Sequence, residues 1–407
     1  MVLSRFAAGA VICLIALPST AYGQRIDSTA PIIDLPDGLK PVGVRAGSVV
    51  LLPSAELRAE YDSNIYAEPN DPVDDVIMVL TPRVEARRDS GTTRLGLLAE
   101  AQLRRYLDNK SENSTAGAAE FNGEVDVSRS QLLQFGFGWR RAIEDRGDPE
   151  ASDIPTTGPR RLDIYSGDAG WSFKGSRFSL ALNGSARRIN YASVNDRTRD
   201  LDTFSGQATV GYRIGGTMRA IVTGFLTKRD FRLDRDLSGI NRNAKTYGGR
   251  IGLSIEDTGF LRGEATIGVF HFSPSDPTLP ARTGISAQAS LVYLPSRRVA
   301  VTLDAFRGDV ATVRSGAQAR TDTTFRLGVQ AEARSNLRLQ GQVFYRDTKF
   351  VGSGISERTI GASAEAEYVL NRFLSLAATV NYADRTSDRL RDRFERTRAS
   401  IELRARF

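Results

Sequence analysis

Polarity that alternates from about Val49 to the last residue, breaks that are short and long by turns, and an export signal at the start together predict an all-β chain. The expected architecture is a transmembrane antiparallel up-and-down β-barrel of about 18 strands. A soluble sandwich would use shorter strands and tolerate fewer charges at every second position.

At the amino terminus, Arg5 precedes the apolar run "FAAGAVICLIAL", and "PSTAYGQ" follows with small residues at Ala21 and Gly23. This is the order of a secretory signal, with cleavage expected after Gly23. The run is too short to cross about 30 Å of hydrocarbon comfortably. Cys13 sits inside the apolar run, lacks the leucine that a lipoprotein signal carries before its cysteine, and is the only cysteine. The exported chain is therefore expected to form no disulfide and to offer no thiolate ligand or thiol nucleophile. Residues 1–23 read as the signal peptide, 24–46 as a periplasmic segment and 47–407 as the barrel.

After the signal, no stretch approaches 18 uninterrupted apolar residues, which excludes inner-membrane helices. Charge is mildly basic, with 55 Lys+Arg against 48 Asp+Glu and a net +7. The basic residues are spread along the chain, which argues against a nucleic-acid partner.

In "RLGLLAEAQLRRYL", Leu95, Leu97, Ala99, Ala101 and Leu103 share one face, while Arg94, Glu100, Gln102 and Arg104 share the other. "FRLGVQAEAR" and "RTIGASAEAEYVL" repeat the pattern around Leu327 and Ala364. Such segments are long enough to cross a bilayer as tilted strands, for which about 9 to 11 residues suffice. The short breaks, such as "RDSGT" at 88–92, "KGS" at 174–176, "SN" at 335–336 and "NR" at 371–372, carry hairpin-turn chemistry. Between them lie longer polar connections, among them 65–75, 108–115, 144–159, 193–201, 232–243, 273–281, 311–319, 351–357 and 385–391. Short turns on the periplasmic rim and long loops outside are the outer-membrane pattern. The stretch 144–159 is then expected to lie open to protease added from outside.

The chain ends "RASIELRARF", with Ala399, Ile401, Leu403, Ala405 and Phe407 alternating with Arg398, Ser400, Glu402, Arg404 and Arg406. In a closed barrel this last strand pairs with the first, leaving no free edge. A terminal aromatic such as Phe407 is what outer-membrane proteins offer to the barrel assembly machinery, and the expectation for Phe407 follows from resemblance to that class. Aromatics such as Tyr61, Tyr165, Phe204, Tyr247, Tyr293 and Tyr368 fall near strand ends, as interfacial girdles do.

The stretch 43–89, with Gly47, Pro53, "YDSNIY" at Tyr61–Tyr66 and the strand around Pro82, resembles the opening of a β-barrel porin family of proteobacterial outer membranes. The ending "RFERTRASIELRARF" is similar to that family's ending. The resemblance spans 43–407 and implies an outer-membrane barrel that gives hydrophilic solutes passage. Family members are often encoded beside exopolysaccharide or capsule export genes, so polysaccharide export components are implied partners, alongside outer-membrane lipid. The alternative is a non-conducting accessory or adhesin barrel, plugged by its loops or by residues 24–46. The resemblance brings no catalytic residue and no cofactor.

Candidate chemistry is sparse. His271, the only histidine, lies in "GVFHFS" with Ser273 and Asp276 nearby, and no nucleophile motif surrounds it. "DRDLSGINRNAK" begins like a calcium loop at Asp234, Asp236, Ser238 and Gly239, but its twelfth position is Lys245 where a bidentate Glu is needed. "RGD" at Arg146–Asp148 reads as a chance match in a charged loop, and "FGFG" at 135–138 lacks the helix a nucleotide loop requires. The inward faces are expected to place Glu120, Glu124 and Asp126 on one wall and Arg326, Arg334, Arg338 and Arg346 on another. Acid then either faces base across the lumen or pairs locally, as Arg334 would with Glu332 and Glu365.

Overall fold

The computed structural model describes residues 32–33, 35–151, 158–233, 235, 239–256, 258–314 and 316–407. The signal peptide expected at residues 1–23 and its expected cleavage site lie outside these residues. Nineteen strands follow one another: β1 (Val44–Ala46), β2 (Val49–Asp62), β3 (Asp75–Asp89), β4 (Thr93–Tyr106), β5 (Ser114–Ser128), β6 (Gln131–Ile143), β7 (Arg161–Lys174), β8 (Phe178–Tyr191), β9 (Leu201–Gly215) and β10 (Met218–Phe231). The remainder are β11 (Ala244–Ile255), β12 (Leu261–Pro274), β13 (Arg282–Ser296), β14 (Val299–Val310), β15 (Ala319–Arg334), β16 (Leu337–Val351), β17 (Ile355–Asn371), β18 (Leu374–Ser387) and β19 (Phe394–Arg406). Strands β2 to β19 each pair antiparallel with their chain neighbours, and β19 pairs with β2, which closes an 18-strand barrel.

At the seam Arg398 lies opposite Asp62 and Arg406 opposite Ser54, and the Phe407 N–H donates to the Pro53 carbonyl at 3.1 Å. Below that point β2 continues without β19. The short β1 takes its place, pairing Val44 to Ala46 with Leu51 to Val49.

Alternation sets the two faces. Leu57, Leu97, Val222, Ile251, Ile267, Val343 and Ile401 stand exposed on the outer wall, where lipid takes the place of water. Outward aromatics form two bands. Tyr61, Tyr165, Phe204 and Tyr247 lie toward the long-loop end, and Phe178, Tyr212, Tyr293, Tyr368, Phe373 and Phe407 toward the short-turn end. The Phe373 and Phe407 rings meet at 5.9 Å.

Most breaks fall where sequence places them, with one exception. The connection expected at 351–357 is a tight turn of three residues between β16 and β17, because Gly352 and Gly354 adopt φ of +93° and +68°. Irregular register recurs at the short-turn end, as between Glu332 and Arg334.

The inner face is polar low in the barrel and partly apolar near the loops. There Leu162, Ile164, Ile189 and Tyr191 form one buried cluster, and Ala244, Phe270, Phe272 and Ala319 another. Burial of each large side chain contributes on the order of 1.5 to 3 kcal/mol. The core of this molecule therefore lies inside the ring, beneath inward-folded loops.

Candidate functional site

Two connections at the long-loop end fold into the lumen. The first leaves β6 at Glu144. Its carboxylate accepts hydrogen bonds from Arg160 at 2.8 Å, from Arg199 at 2.6 Å and from the Tyr191 hydroxyl at 3.1 Å. These partners tie the loop to the β7–β9 side. Asp145 then reaches the far wall, where Arg396 and Arg398 of β19 stand at 3.0 and 3.4 Å. Arg385 of β18 donates to the Gly147 carbonyl. Glu150 pairs with Arg320 of β15 at 2.6 Å and accepts from the Val313 N–H at 2.6 Å.

The second connection, 311–318, supplies that Val313. Ala311 and Val313 pack against Leu201 of β9 and Phe231 of β10, well across the ring from β14 and β15. Arg314 binds Glu357 and Asp392 and lies 4.7 Å over the Phe350 ring. The upper end of β14 bends inward to allow this. Its pairing with β13 stops at Ala287 opposite Arg307, and Asp309 beyond that point pairs with Arg229 of β10 at 2.6 Å.

Electrostatics explains why so many charges tolerate burial here. Each loop carboxylate meets at least one guanidinium or backbone donor, which offsets the loss of water. Burial would push the Asp145 carboxyl up, but Arg396 and Arg398 hold it well below the usual range. Asp148, more deeply buried, is pushed up to about 7 by burial, against the pull of the Glu150 N–H, Arg346 and Arg320.

Below the loops a cavity of about 360 Å³ remains. Uncharged hydrogen-bonding side chains, among them Gln330, Gln340, Ser363, Thr379 and Asn381, line it together with charged ones such as Glu365 and Arg404. The Asn381 Oδ1 is buried there without a hydrogen-bond partner. From the short-turn end the amino-terminal segment enters, its Ile32 N–H donating to the Gln330 side chain at 2.7 Å, with Ile33 and Leu35 buried.

The residues singled out from sequence take the following places. Glu120, Glu124 and Asp126 share the inward-facing register of β5, yet they pair locally. Glu120 meets Arg140 at 3.1 Å, and Arg94 takes both Glu124 at 2.8 Å and Asp126 at 3.0 Å. Arg338 pairs with Glu367 at 2.5 Å. Arg326 lies opposite Asp304 in register, and Arg346 is enclosed beside Asp322 and Asp148. Arg334 lies past the irregularity at the exposed end of β15, away from Glu365, which pairs instead with Arg404 at 3.0 Å. Phe407 lies on the outer rim with its ring against Phe373.

His271 points outward. Its Nδ1 lies 3.0 Å from the Thr283 hydroxyl and its ring 5.3 Å from that of Tyr247, while Asp276 is occupied by Thr278 and the Asn241 N–H. Histidine and aspartate do not form a catalytic pair. Asp234, Asp236 and Ser238 lie outside the described residues, and no acidic or histidine cluster able to hold a metal occurs among those that are described. The RGD stretch is folded inward, with Arg146 on Glu112 at 2.8 Å, and is not displayed for adhesion.

Sequence reading missed Asp145, Asp148, Glu150, Arg314, Arg320, Arg385 and Arg396 as a unit. The available signal was the inward register of the arginines on β15, β18 and β19.

The family described as "Putative beta-barrel porin 2" matches residues 37–407. No curated protein matches the chain. Among solved structures, the outer membrane protein OpdK of Pseudomonas aeruginosa is similar at 14% identity, covering 88% of this chain and 99% of its own, with a TM-score of 0.46. OccK2 (OpdF) of the same organism has 13% identity, covers 88% and 98%, and has a TM-score of 0.47. The ferric enterobactin receptor PfeA, also of Pseudomonas aeruginosa, has 9% identity, covers 89% and 81%, and has a TM-score of 0.44.

Proposed function

Because the chain belongs to the family of β-barrel porins that matches residues 37–407, we propose that it gives hydrophilic solutes passage across the outer membrane through a lumen narrowed by its own loops. The observation that carries this reading is the lining of the lumen cavity. Amides and hydroxyls from β15 to β18 face charged groups such as Glu56, Arg58 and Glu402. Such a wall replaces the hydration of a polar solute by hydrogen bonds and excludes apolar ones. The amides and hydroxyls suit hydroxyl-rich molecules, and the resemblance of the first strands to barrels encoded near polysaccharide export genes favours a glycan among them.

A specific observation supports a second reading, a non-conducting accessory barrel. Loops enter the lumen from one end, and Ile32, Ile33 and Leu35 from the other. Purified protein in planar bilayers separates the two. Stepwise conductance, with sugar uptake in proteoliposomes, supports passage. Silence from a correctly folded barrel, including a variant that lacks residues 145–150, supports the accessory role.

A further inference from the structure

The outer wall is notched between β5 and β6. Their pairing ends at Gly117 opposite Arg141, although β5 begins at Ser114 and β6 runs on to Ile143. Above that point each strand keeps only its other neighbour, Ser114 opposite Arg104 of β4 and Ile143 opposite Arg161 of β7. The strands part, and a recess of about 670 Å³ lies there, lined by Arg105, Arg141, Arg161 and Trp139, with Ala101 and Gly117 as its floor. Small floor residues let a polar group approach the backbone closely.

Charge in the recess is unbalanced. Arg141 grips Asp163 with both nitrogens at 2.9 Å. Arg105 spends one nitrogen on the carbonyls of Arg104 and Ser114, at 2.8 and 3.2 Å, and meets no carboxylate among the described residues. Arg161 is exposed and forms no ion pair among them. Elsewhere on the same outer rim Arg188 pairs with Asp202 at 2.8 Å and Lys228 with Asp230 at 2.6 Å. Of the carboxylates here, Asp163 is held by Arg141, and Glu100, which also lines the recess, lies 4.0 Å from Arg83, so Arg105 and Arg161 keep their charge toward the recess.

We propose that this notch binds the phosphorylated headgroup of an outer-leaflet lipid. Guanidinium forks match phosphate oxygens in pairs, and arginine is the side chain of choice for that geometry. The notch lies at the long-loop end of the wall, at headgroup height on the outer side of the membrane. Directly below it the outward side chains are apolar, with Leu97 51%, Phe137 62% and Tyr165 46% exposed, a surface for acyl chains. Trp139 lies between the two zones, where an indole with one polar edge is at its best. This continuity of headgroup site and chain surface selects a lipid over a soluble phosphate.

The test uses the full-length protein in detergent and titrates bisphosphorylated lipid A, the same lipid stripped of phosphate, and inorganic phosphate, reading bound lipid by native mass spectrometry. The wild type should hold the phosphorylated lipid at least about ten-fold more tightly than an Arg105→Gln/Arg161→Gln double variant, and the two should not differ for the stripped lipid. An Arg188→Gln variant on another arc should bind like the wild type. If the double variant does not fold, Arg161→Gln alone, exposed and unpaired, should still lower affinity several-fold. Equal retention of phosphorylated lipid by wild type and variants overturns the proposal. So does displacement of the lipid by millimolar inorganic phosphate, which would make the notch a plain anion site.

Discussion

Arg396 joins Asp62 and Asp145 at once: its Nη2 lies 2.5 Å from the Asp62 carboxylate on the first barrel strand, and its Nη1 lies 3.0 Å from Asp145 in the inward loop. One guanidinium thus fastens the closure of the ring and the filling of its lumen. Arg396→Gln removes the closest partner of the buried Asp62 and one of the two arginines at Asp145, leaving Arg398 alone to both, a loss of about 3 kcal/mol by the cost of breaking a buried pair. The expected outcome is a clearly lower temperature for loss of the heat-modifiable folded band, and an unchanged transition would show that the pair does not hold the seam.

Asp145→Asn removes the loop's half of that arrangement and keeps Asp62 in place. Combined with Glu150→Gln, it should raise mean conductance or the frequency of open events in planar bilayers while the barrel's thermal transition stays within a few degrees. Conductance equal to that of the wild type would mean that the loop does not govern passage.

Asp148 predicts a pH dependence. Its carboxyl is pushed up to about 7 by burial, so the seated loop holds the protonated form more tightly than a released loop does. That contribution is full below the ordinary carboxylate value near about 4, fades as pH rises, and is lost above about 7. The groups facing it are Glu150 on the loop itself, Arg320 on β15, Arg346 on β16 and Arg385 on β18. Asp145, held low, works in the opposite sense, and its contribution disappears only at strongly acidic pH. Open events should therefore become more frequent from about pH 5.5 to about pH 8, and Asp148→Asn should flatten the profile. A variant with the wild-type slope would assign the titration elsewhere.

Protease access follows the inward fold. Trypsin added to intact cells should cut at Arg391, exposed between β18 and β19, and should spare Arg146, which is paired with Glu112. Mapping the fragments by mass spectrometry checks this, and early cleavage after Arg146 would show that the loop lies outside the lumen.

Deletion of Phe407 removes an outer-rim ring that meets Phe373 and the N–H that bonds Pro53. Passage across the inner membrane should continue while the amount of heat-modifiable barrel in outer-membrane fractions falls several-fold. Unchanged insertion would separate this residue from recognition by the assembly machinery.

The strands were legible because their period has only one physical meaning: Leu95 to Leu103 in steps of two must share a face, and the ionic residues between them must share the other. The turns were legible from their chemistry, except at Gly352 and Gly354, where a short polar stretch hides a sharp reversal. The inward loops were not legible. "EDRGDPE" reads as a solvated segment, since aspartate and arginine serve equally in water or against opposite charges in a lumen, and only the third dimension sets Asp145 beside a residue 251 positions later. The local pairing of Glu124 with Arg94 was within reach, because neighbouring strands place them opposite each other, whereas opposition across the ring depends on how the loops fill it.

The three residues of β1 act as a stop. They occupy the stretch of β2 that β19 would have to enter if the last strand slid toward the short-turn end, so slip of the seam's offset in that direction is blocked. In a cylinder of hydrogen-bonded strands, that offset and the strand number together fix the tilt and the circumference. A segment too short to cross anything thus guards the gauge of the whole tube against a slip in one direction.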